Sequence, residues 1–332
     1  MRFPIADCVG NLEIGANRQL KIGNRKLKMS RGVHRFAVLV ACATFFLIIA
    51  GANVTSHDAG LAVPDWPLSF GKLFPKMVGN VFWEHGHRMI AAAVGLLTII
   101  LAFYLQMREP RRWVKRLGWI ALAGVIAQGL LGGLTVKMNL PLAVSAAHAT
   151  LAQLFFLTTV SIAVFTSPRW IAASPIANDR GESVSIRSLS VIALIVILAQ
   201  LVLGATLRHS ATWDQDLPTG LLLAHVGGAI CVTLILGATV TISLMRYRAE
   251  KYLARPAMIA AALLFVQLGL GLAAYITRTG SPYDPQPLTP MVAVTVAHVA
   301  CGALVFASTI VFTLRTFRVV HAEQNNYVLA AA

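Results

Sequence analysis

Four histidines, His87, His148, His225 and His298, recur at one depth in a chain of long apolar stretches, one near the start of every second stretch. A neutral imidazole is the commonest metal-binding side chain, and an ionisable group inside a bilayer is costly enough to mark function. Beside the first of them stands an acid, in Glu84-His85-Gly86-His87-Arg88. Three residues turn a helix by about 300°, so Glu84 sits one turn from His87 on nearly the same face. Three residues before His225 the chain carries Leu222, so the acid is not repeated. Four imidazoles at matched depth form two facing pairs, and two such pairs read best as two haem-iron sites. The asymmetry in the carboxylate suggests that one site does chemistry while the other transfers or stores electrons.

Other chemistries fit these residues less well. A di-iron carboxylate site needs two Glu-x-x-His motifs and further acids, and this chain has one such motif. A catalytic zinc takes three protein ligands and leaves the duplicated pairs unexplained. The plain alternative for Glu84 is an i,i+4 ion pair with Arg88. Arg88, Lys137, Arg208 and Arg278 stand at the outer ends of helices, suited either to carboxylates such as haem propionates or to snorkelling at headgroups. His34, His57, His85, His209 and His321 read as solvated surface, since His85 points about 200° away from His87. Gly129, Gly133, Gly227, Gly228, Gly269 and Gly271 suit close approach, of helices in the ordinary reading or of a flat ring.

The elements that must hold these groups are membrane helices. The 332 residues are 57% hydrophobic and 12% charged, with a mean hydropathy of +0.71, too apolar for a water-soluble domain. A span needs roughly 20 apolar residues, and eight stretches qualify: about 36–56, 81–106, 117–136, 142–166, 187–207, 218–244, 256–277 and 290–314. Of the lysines and arginines, 22 fall in the two tails and the even-numbered loops, against six elsewhere: Lys72, Lys76, Arg88, Lys137, Arg208 and Arg278. That positive-inside bias puts both termini in the cytoplasm. The net charge of +15 therefore reports topology and contact with anionic membrane lipid, not nucleic-acid binding. No cleavable signal peptide is evident, and Asp7, Glu13 and the scarcity of serine argue against a mitochondrial transit peptide. A bacterial plasma (inner) membrane is expected, with the mitochondrial inner membrane as the alternative. Cys8, Cys42, Cys231 and Cys301 are scattered and suit packing rather than disulfides.

The expected fold is an all-α integral membrane protein whose eight transmembrane helices form two tandem four-helix bundles in parallel pseudo-repeat. A basic cytoplasmic tail (1–35) without regular structure leads into an N-terminal half (36–166). A cytoplasmic linker (167–186) precedes a C-terminal half (187–314) and a short cytoplasmic tail (315–332). Gln128-Gly129-Leu130-Leu131-Gly132 answers Gln267-Leu268-Gly269-Leu270-Gly271, Ala147-His148 answers Ala297-His298, and Ala50-Gly51 answers Leu203-Gly204. An even number of helices per half makes the repeats parallel. The histidine-bearing spans then run the same way, which puts all four imidazoles about 9–12 Å below the outer ends at 1.5 Å per residue.

These residues resemble the haem A synthase family. The resemblance lies in Gly51-Ala52-Asn53-Val54-Thr55, in Ala59-Gly60-Leu61 with Pro64-Asp65-Trp66-Pro67-Leu68 and Gly71, and in Glu84-x-x-His87-Arg88. It continues through Pro141-x-x-x-Ser145-Ala146-Ala147-His148-Ala149-x-Leu151-Ala152-Gln153, then His225 and His298, and covers about 45–310. It implies an oxidoreductase that converts the C8 methyl of haem O to a formyl group by successive hydroxylation, for cytochrome oxidase assembly. It implies substrate haem on His87 and His148, a haem b cofactor on His225 and His298, and Glu84 as the catalytic carboxylate. Implied partners are haem O, a haem O synthase, oxidase assembly factors and an electron acceptor that the sequence does not identify. Some family members carry a cysteine pair in the first outer loop; 59–80 has none here. Trp66 in that loop is expected to cap the substrate pocket.

Two rivals remain at this level. A non-catalytic dihaem membrane cytochrome b would use the same four ligands without needing Glu84. A haem-free transporter would use the histidines as a proton relay, but the spans lack the Pro-interrupted pattern of a midplane substrate site.

Overall fold

The computed structural model describes the backbone of residues 5–178, 184–210, 216–280 and 287–321, with side chains from residue 31 onward apart from those of 177, 178 and 321. The described chain is all-α except for one two-residue parallel strand pair. Eight helices are long and apolar enough to cross a membrane, which makes this a multi-pass membrane protein. They are α1 (Ile5–Ser56), α2 (Asn80–Arg108), α3 (Arg112–Lys137), α4 (Leu142–Thr166), then, after the short α5 (Pro168–Ala172), α6 (Ile186–His209), α7 (Thr219–Tyr247), α8 (Lys251–Thr279) and α9 (Thr289–Val319). The linker strand β1 (Ala177–Asn178) pairs in parallel with β2 (Val320–His321), tying the linker to the end of α9.

Two differences from the sequence expectation have physical causes. The tail expected to lack regular structure is helical from Ile5 and continuous with the first span. No proline follows Pro4 in that stretch, and extending an existing helix avoids the cost of nucleating one. The spans also run past their apolar stretches at the basic ends, to Arg108, from Arg112, to Tyr247, from Lys251 and to Val319. Hydropathy falls at an arginine or lysine, but the helix does not end there, because the long side chain can carry its charge to the interface. In α8 the helix even begins before Pro256. Proline cannot donate to the carbonyl four residues earlier, and Arg315 Nη1 donates to that Tyr252 carbonyl instead, at 3.2 Å.

Helix packing closes two four-membered rings. In the first, α1 packs on α2 and α4, and α3 packs on the same two; in the second, α7 packs on α6 and α8, and α9 packs on the same two. Hence α2 lies diagonally across from α4, and α7 from α9. The rings meet where α4 and α9 pack on each other, with α1 on α9 and α4 on α6.

Each ring is filled from its basic end. In the first, Val33, Val40, Val94, Leu101, Leu105, Val114, Ala121 and Ile162 pack together. The second core gathers Ile186, Ile197, Leu236, Leu253, Ala260 and Phe312, and reaches across the seam to Ile48 and Phe156. All four histidines stand beyond these cores, toward the other end of the helices. The packed half sets the helix spacing that the histidine half inherits. Leu101 is fully buried, and Leu101→Ala should cost roughly 2–5 kcal/mol of stability from lost packing and a residual cavity. The exposed Leu96→Ala should change stability by less than about 1 kcal/mol, and detergent-mediated unfolding of the two variants checks the difference.

Candidate functional site

The diagonal helices carry the histidines: His87 on α2 and His148 on α4, His225 on α7 and His298 on α9. Each imidazole lies against a glycine of the preceding helix. A Cβ on Gly51 would meet His87 Cε1 at 3.1 Å, on Gly132 would meet His148 Cε1 at 3.2 Å, on Gly204 would meet His225 Cε1 at 2.9 Å, and on Gly271 would meet His298 Cε1 at 3.1 Å. With hydrogen in place of a side chain, the neighbouring helix lets the ring lie flat along it rather than swing outward. Of the six glycines expected at close approaches, Gly133, Gly228 and Gly271 do meet a side chain, whereas a Cβ on Gly129, Gly227 or Gly269 would meet nothing within 4 Å.

Whether such rings suit a metal can be tested on their geometry. The His225 and His298 ring centres are 6.4 Å apart with planes at 73°. Two imidazoles gripping one metal at about 2.0–2.1 Å would place their centres roughly 6.3 Å apart. His87 and His148 stand within electrostatic reach of one another. His87 Nδ1 is buried with no hydrogen-bond partner, while the backbones of Gln128 and Gln267 lie close enough to His148 and His298 to act on their rings. Among the described residues no group of three or more His, Cys, Asp or Glu side chains gathers at one point; the histidines offer two-ligand sites. These residues fit bis-imidazole haem.

Glutamines to which the sequence reading gave no role beside the histidines accompany the glycines. Gln128, Gln200 and Gln267 stand four residues before Gly132, Gly204 and Gly271, and therefore on the same helix face; Leu47 takes that place before Gly51. Gln200 Nε2 donates to the His225 carbonyl at 2.9 Å and lies 3.1 Å from its Nδ1. Gln267 Nε2 is 3.3 Å from His298 Nε2. The recurrent Gln-x-x-x-Gly spacing was a readable signal.

Over the first histidine pair the loop between α1 and α2 is clamped down by the start of α2. Glu84, 4% exposed, accepts from Val63 N–H at 2.7 Å through Oε2 and from Arg88 Nη2 through Oε1. Arg88 also donates to the carbonyls of Asp65 (2.7 Å), Leu68 (3.0 Å) and Val63 (3.1 Å). All four terminal N–H bonds of Arg88 are engaged in this way, and the i,i+4 pair with Glu84 is present. His85, expected at the solvated surface, is buried and bonded to Ser69 at 2.8 Å. The clamp places Trp66 against α3, where a Cβ on Gly133 would meet its indole at 2.7 Å, one residue from the glycine that faces His148.

Other candidates fall as follows. Arg208 donates to the Thr55 carbonyl at 2.6 Å, crossing from the second ring to the first, and has Arg278 and Asp58 within electrostatic reach. Lys137 is exposed at the end of α3. His209 is half-buried and within electrostatic reach of His148, His57 stacks on Trp83 at 3.9 Å, and His34 bonds the Ala163 carbonyl at 3.0 Å. None of these three is freely solvated. The His321 side chain lies outside the described residues. Cys42, Cys231 and Cys301 are free thiols.

Eight apolar helices in two rings, each with a pair of histidines on diagonal helices and one pair accompanied by a buried acid, define a multi-pass membrane protein. The chain belongs to the cytochrome oxidase assembly protein family, whose model matches residues 34–213. It is 27% identical to a haem A synthase of Shouchella clausii over 266 residues, 75% of this chain and 88% of that one. It is 31% identical to a haem A synthase of Symbiobacterium thermophilum (57% and 68% of the chains) and 22% identical to one of Geobacillus kaustophilus (75% and 84%).

Two predictions test this geometry. Gly204→Ala forces the His225 ring to move and should cost about 1–3 kcal/mol by overpacking, while Gly237→Ala, whose Cβ would meet nothing within 4 Å, should be neutral; thermal unfolding compares them. In the loop, the N–H groups of Gly71 and Phe70 hold the Asp65 carboxyl below its ordinary 3.8. A pKa depressed by folding means that the closure is present above about pH 4 and lost as pH falls through the folded value. Protection of the Phe70 and Gly71 amides, taken as exchange relative to the intrinsic rate at each pH, should therefore fall in acid, and at neutral pH in Asp65→Asn.

Proposed function

We propose that this protein is a haem A synthase: a haem-dependent oxidoreductase that oxidises the C8 methyl of haem O to a formyl group for cytochrome oxidase assembly. Membership of the cytochrome oxidase assembly protein family and the likeness to haem A synthases along three quarters of the chain support the activity. The observation that carries the division of labour is the buried acid Glu84, one helical turn from His87, where Leu222 stands three residues before His225. On this reading residues 36–166 take the substrate haem on His87 and His148, and residues 187–314 take haem b on His225 and His298, the two halves being parallel repeats. Both termini face the cytoplasm across the plasma membrane, in accord with the positive-inside bias.

The chain's own residues hold, orient and exclude. His87 and His148, resting on Gly51 and Gly132, fix the substrate porphyrin between α2 and α4. Glu84, anchored by Arg88 and the Val63 N–H, accepts protons and stabilises positive charge as the methyl is oxidised. The first outer loop with Trp66 excludes bulk water. Two successive hydroxylations, each taking one oxygen from water, releasing two protons and passing two electrons to an external acceptor, would give a geminal diol, and loss of one water would leave the aldehyde. His225 and His298 would hold haem b, which would supply one-electron transfer at a potential tuned by these residues and their surroundings. Arg88, Lys137, Arg208 and Arg278 are the candidate partners for propionates.

Expression in a host that makes haem O but no haem A, followed by chromatography of extracted haems, tests the activity. Wild type should yield haem A. Glu84→Gln should keep both haem sites and leave haem O unconverted, by a factor of roughly 10²–10⁴ in rate; full conversion would remove Glu84 from the mechanism and favour a plain dihaem cytochrome b. His225→Ala should lower haem content by one equivalent while the first pair still binds.

A further inference from the structure

At the end of the helices opposite the histidine layer, a cavity of about 430 Å³ opens between α5, the segment 173–176, the start of α8 and the end of α9. Its walls include Arg169, Ser174, Ile176, Tyr252 and Val319. The Tyr252 hydroxyl is buried and has no hydrogen-bond partner. Arg315 lies over the Tyr252 ring, 4.8 Å from its centre, and is close enough to Arg169 to be repelled by it. Arg318 stacks on Trp170 at 5.9 Å and donates to its carbonyl at 3.2 Å, within electrostatic reach of Tyr252.

Arg169 and Tyr252 thus line the cavity, with Arg315 behind it on the Tyr252 ring and Arg318 beside it on Trp170. Among the described residues the ion pairs are Glu84–Arg88 and Glu109–Arg111, so none of the three arginines is matched by a described carboxylate. Like charges held together repel unless an anion sits among them, and planar guanidinium forks match phosphate oxygens in particular. The apolar part of the wall, Ala172, Ala173 and Ile176, suits the glycerol and first methylenes of a lipid rather than a hydrated ion. Trp170 and Tyr252 lie where a membrane interface places aromatic residues, at the helix ends where lysine and arginine concentrate. Basic pockets between membrane helices on that side are suited to anionic headgroups.

We propose that this cavity binds the phosphate of an anionic phospholipid from the leaflet at the basic end of the helices. The lipid would join α5 and the linker to α8 and α9, at the point where β1 pairs with β2. The site is independent of the haem chemistry.

Titration of the full-length purified protein with phosphatidylglycerol, phosphatidylcholine or inorganic phosphate, read by thermal shift and by lipid adducts in native mass spectrometry, tests this. Wild type should prefer phosphatidylglycerol to phosphatidylcholine by about tenfold or more, and inorganic phosphate should not reproduce the shift. Arg169→Gln, at an exposed position, and Tyr252→Phe, which removes only an unpartnered oxygen, should each weaken phosphatidylglycerol binding by about tenfold, the loss of one charge-assisted hydrogen bond. Equal affinity for the two lipids would overturn the proposal, as would selectivity surviving in the double variant. Saturation by inorganic phosphate in competition with the lipid would make it a free-anion site instead. Selectivity that appears only in Glu323→Gln would assign the cavity to the chain's own C-terminal segment.

Discussion

The contact between an imidazole edge and a glycine of the preceding helix recurs at every histidine of the layer, and the rest of the arrangement depends on it. A helix interface with side chains on both faces holds axes 8–10 Å apart and leaves a ring no place to lie flat. Removing the Cβ on one face lets the ring tuck against backbone. The glycines sit on α1, α3, α6 and α8, the histidines on α2, α4, α7 and α9, so each ring of helices alternates support and ligand. The 6.4 Å between His225 and His298 follows from helices held apart by their neighbours rather than pressed together.

Stability and function are divided along the helix axes. Large apolar side chains fill the basic half of both rings, where they act as the scaffold; the histidine half carries the polar groups and the loop clamp. In a bilayer, lipid tails are as apolar as leucine, so a well-filled core holds helices by packing rather than by escape from solvent. That leaves the other half able to hold a flat ligand without threatening the fold. The Glu84–Arg88 pair joins the halves of this scheme. One carboxylate fastens the loop through Val63, keeps Arg88 in place beneath the Asp65–Leu68 turn, and stands one helical turn from His87.

Much of this was legible in residue order. The eight spans, the four histidines and the lone acid follow from hydropathy and the 3.6-residue period, and the Gly51, Gly132, Gly204 and Gly271 correspondences were visible as short repeats. The helical continuation before residue 31 was not, because polarity says where a helix leaves the membrane and not where it stops. The contacts of Arg88 with the loop were hidden for a related reason: a cation at a helix end looks the same whether or not it meets three carbonyls of a loop 20 residues earlier. His85 was assigned to solvent from its angle on α2, and the angle was right. What covered that face was the folded loop.

Periodicity and composition by themselves determined the number of spans, their direction relative to the basic loops, and which side chains share a layer, since these depend only on chain-local geometry and transfer of groups between water and lipid. Which helices stand diagonally, how near two imidazoles come, that Trp66 lies against Gly133 beside the His148 glycine, and that Arg169, Arg315 and Arg318 meet around Tyr252 were decided only by the tertiary structure. Those relations join residues from 60 to 160 positions apart, and no local rule of spacing carries information across such a distance.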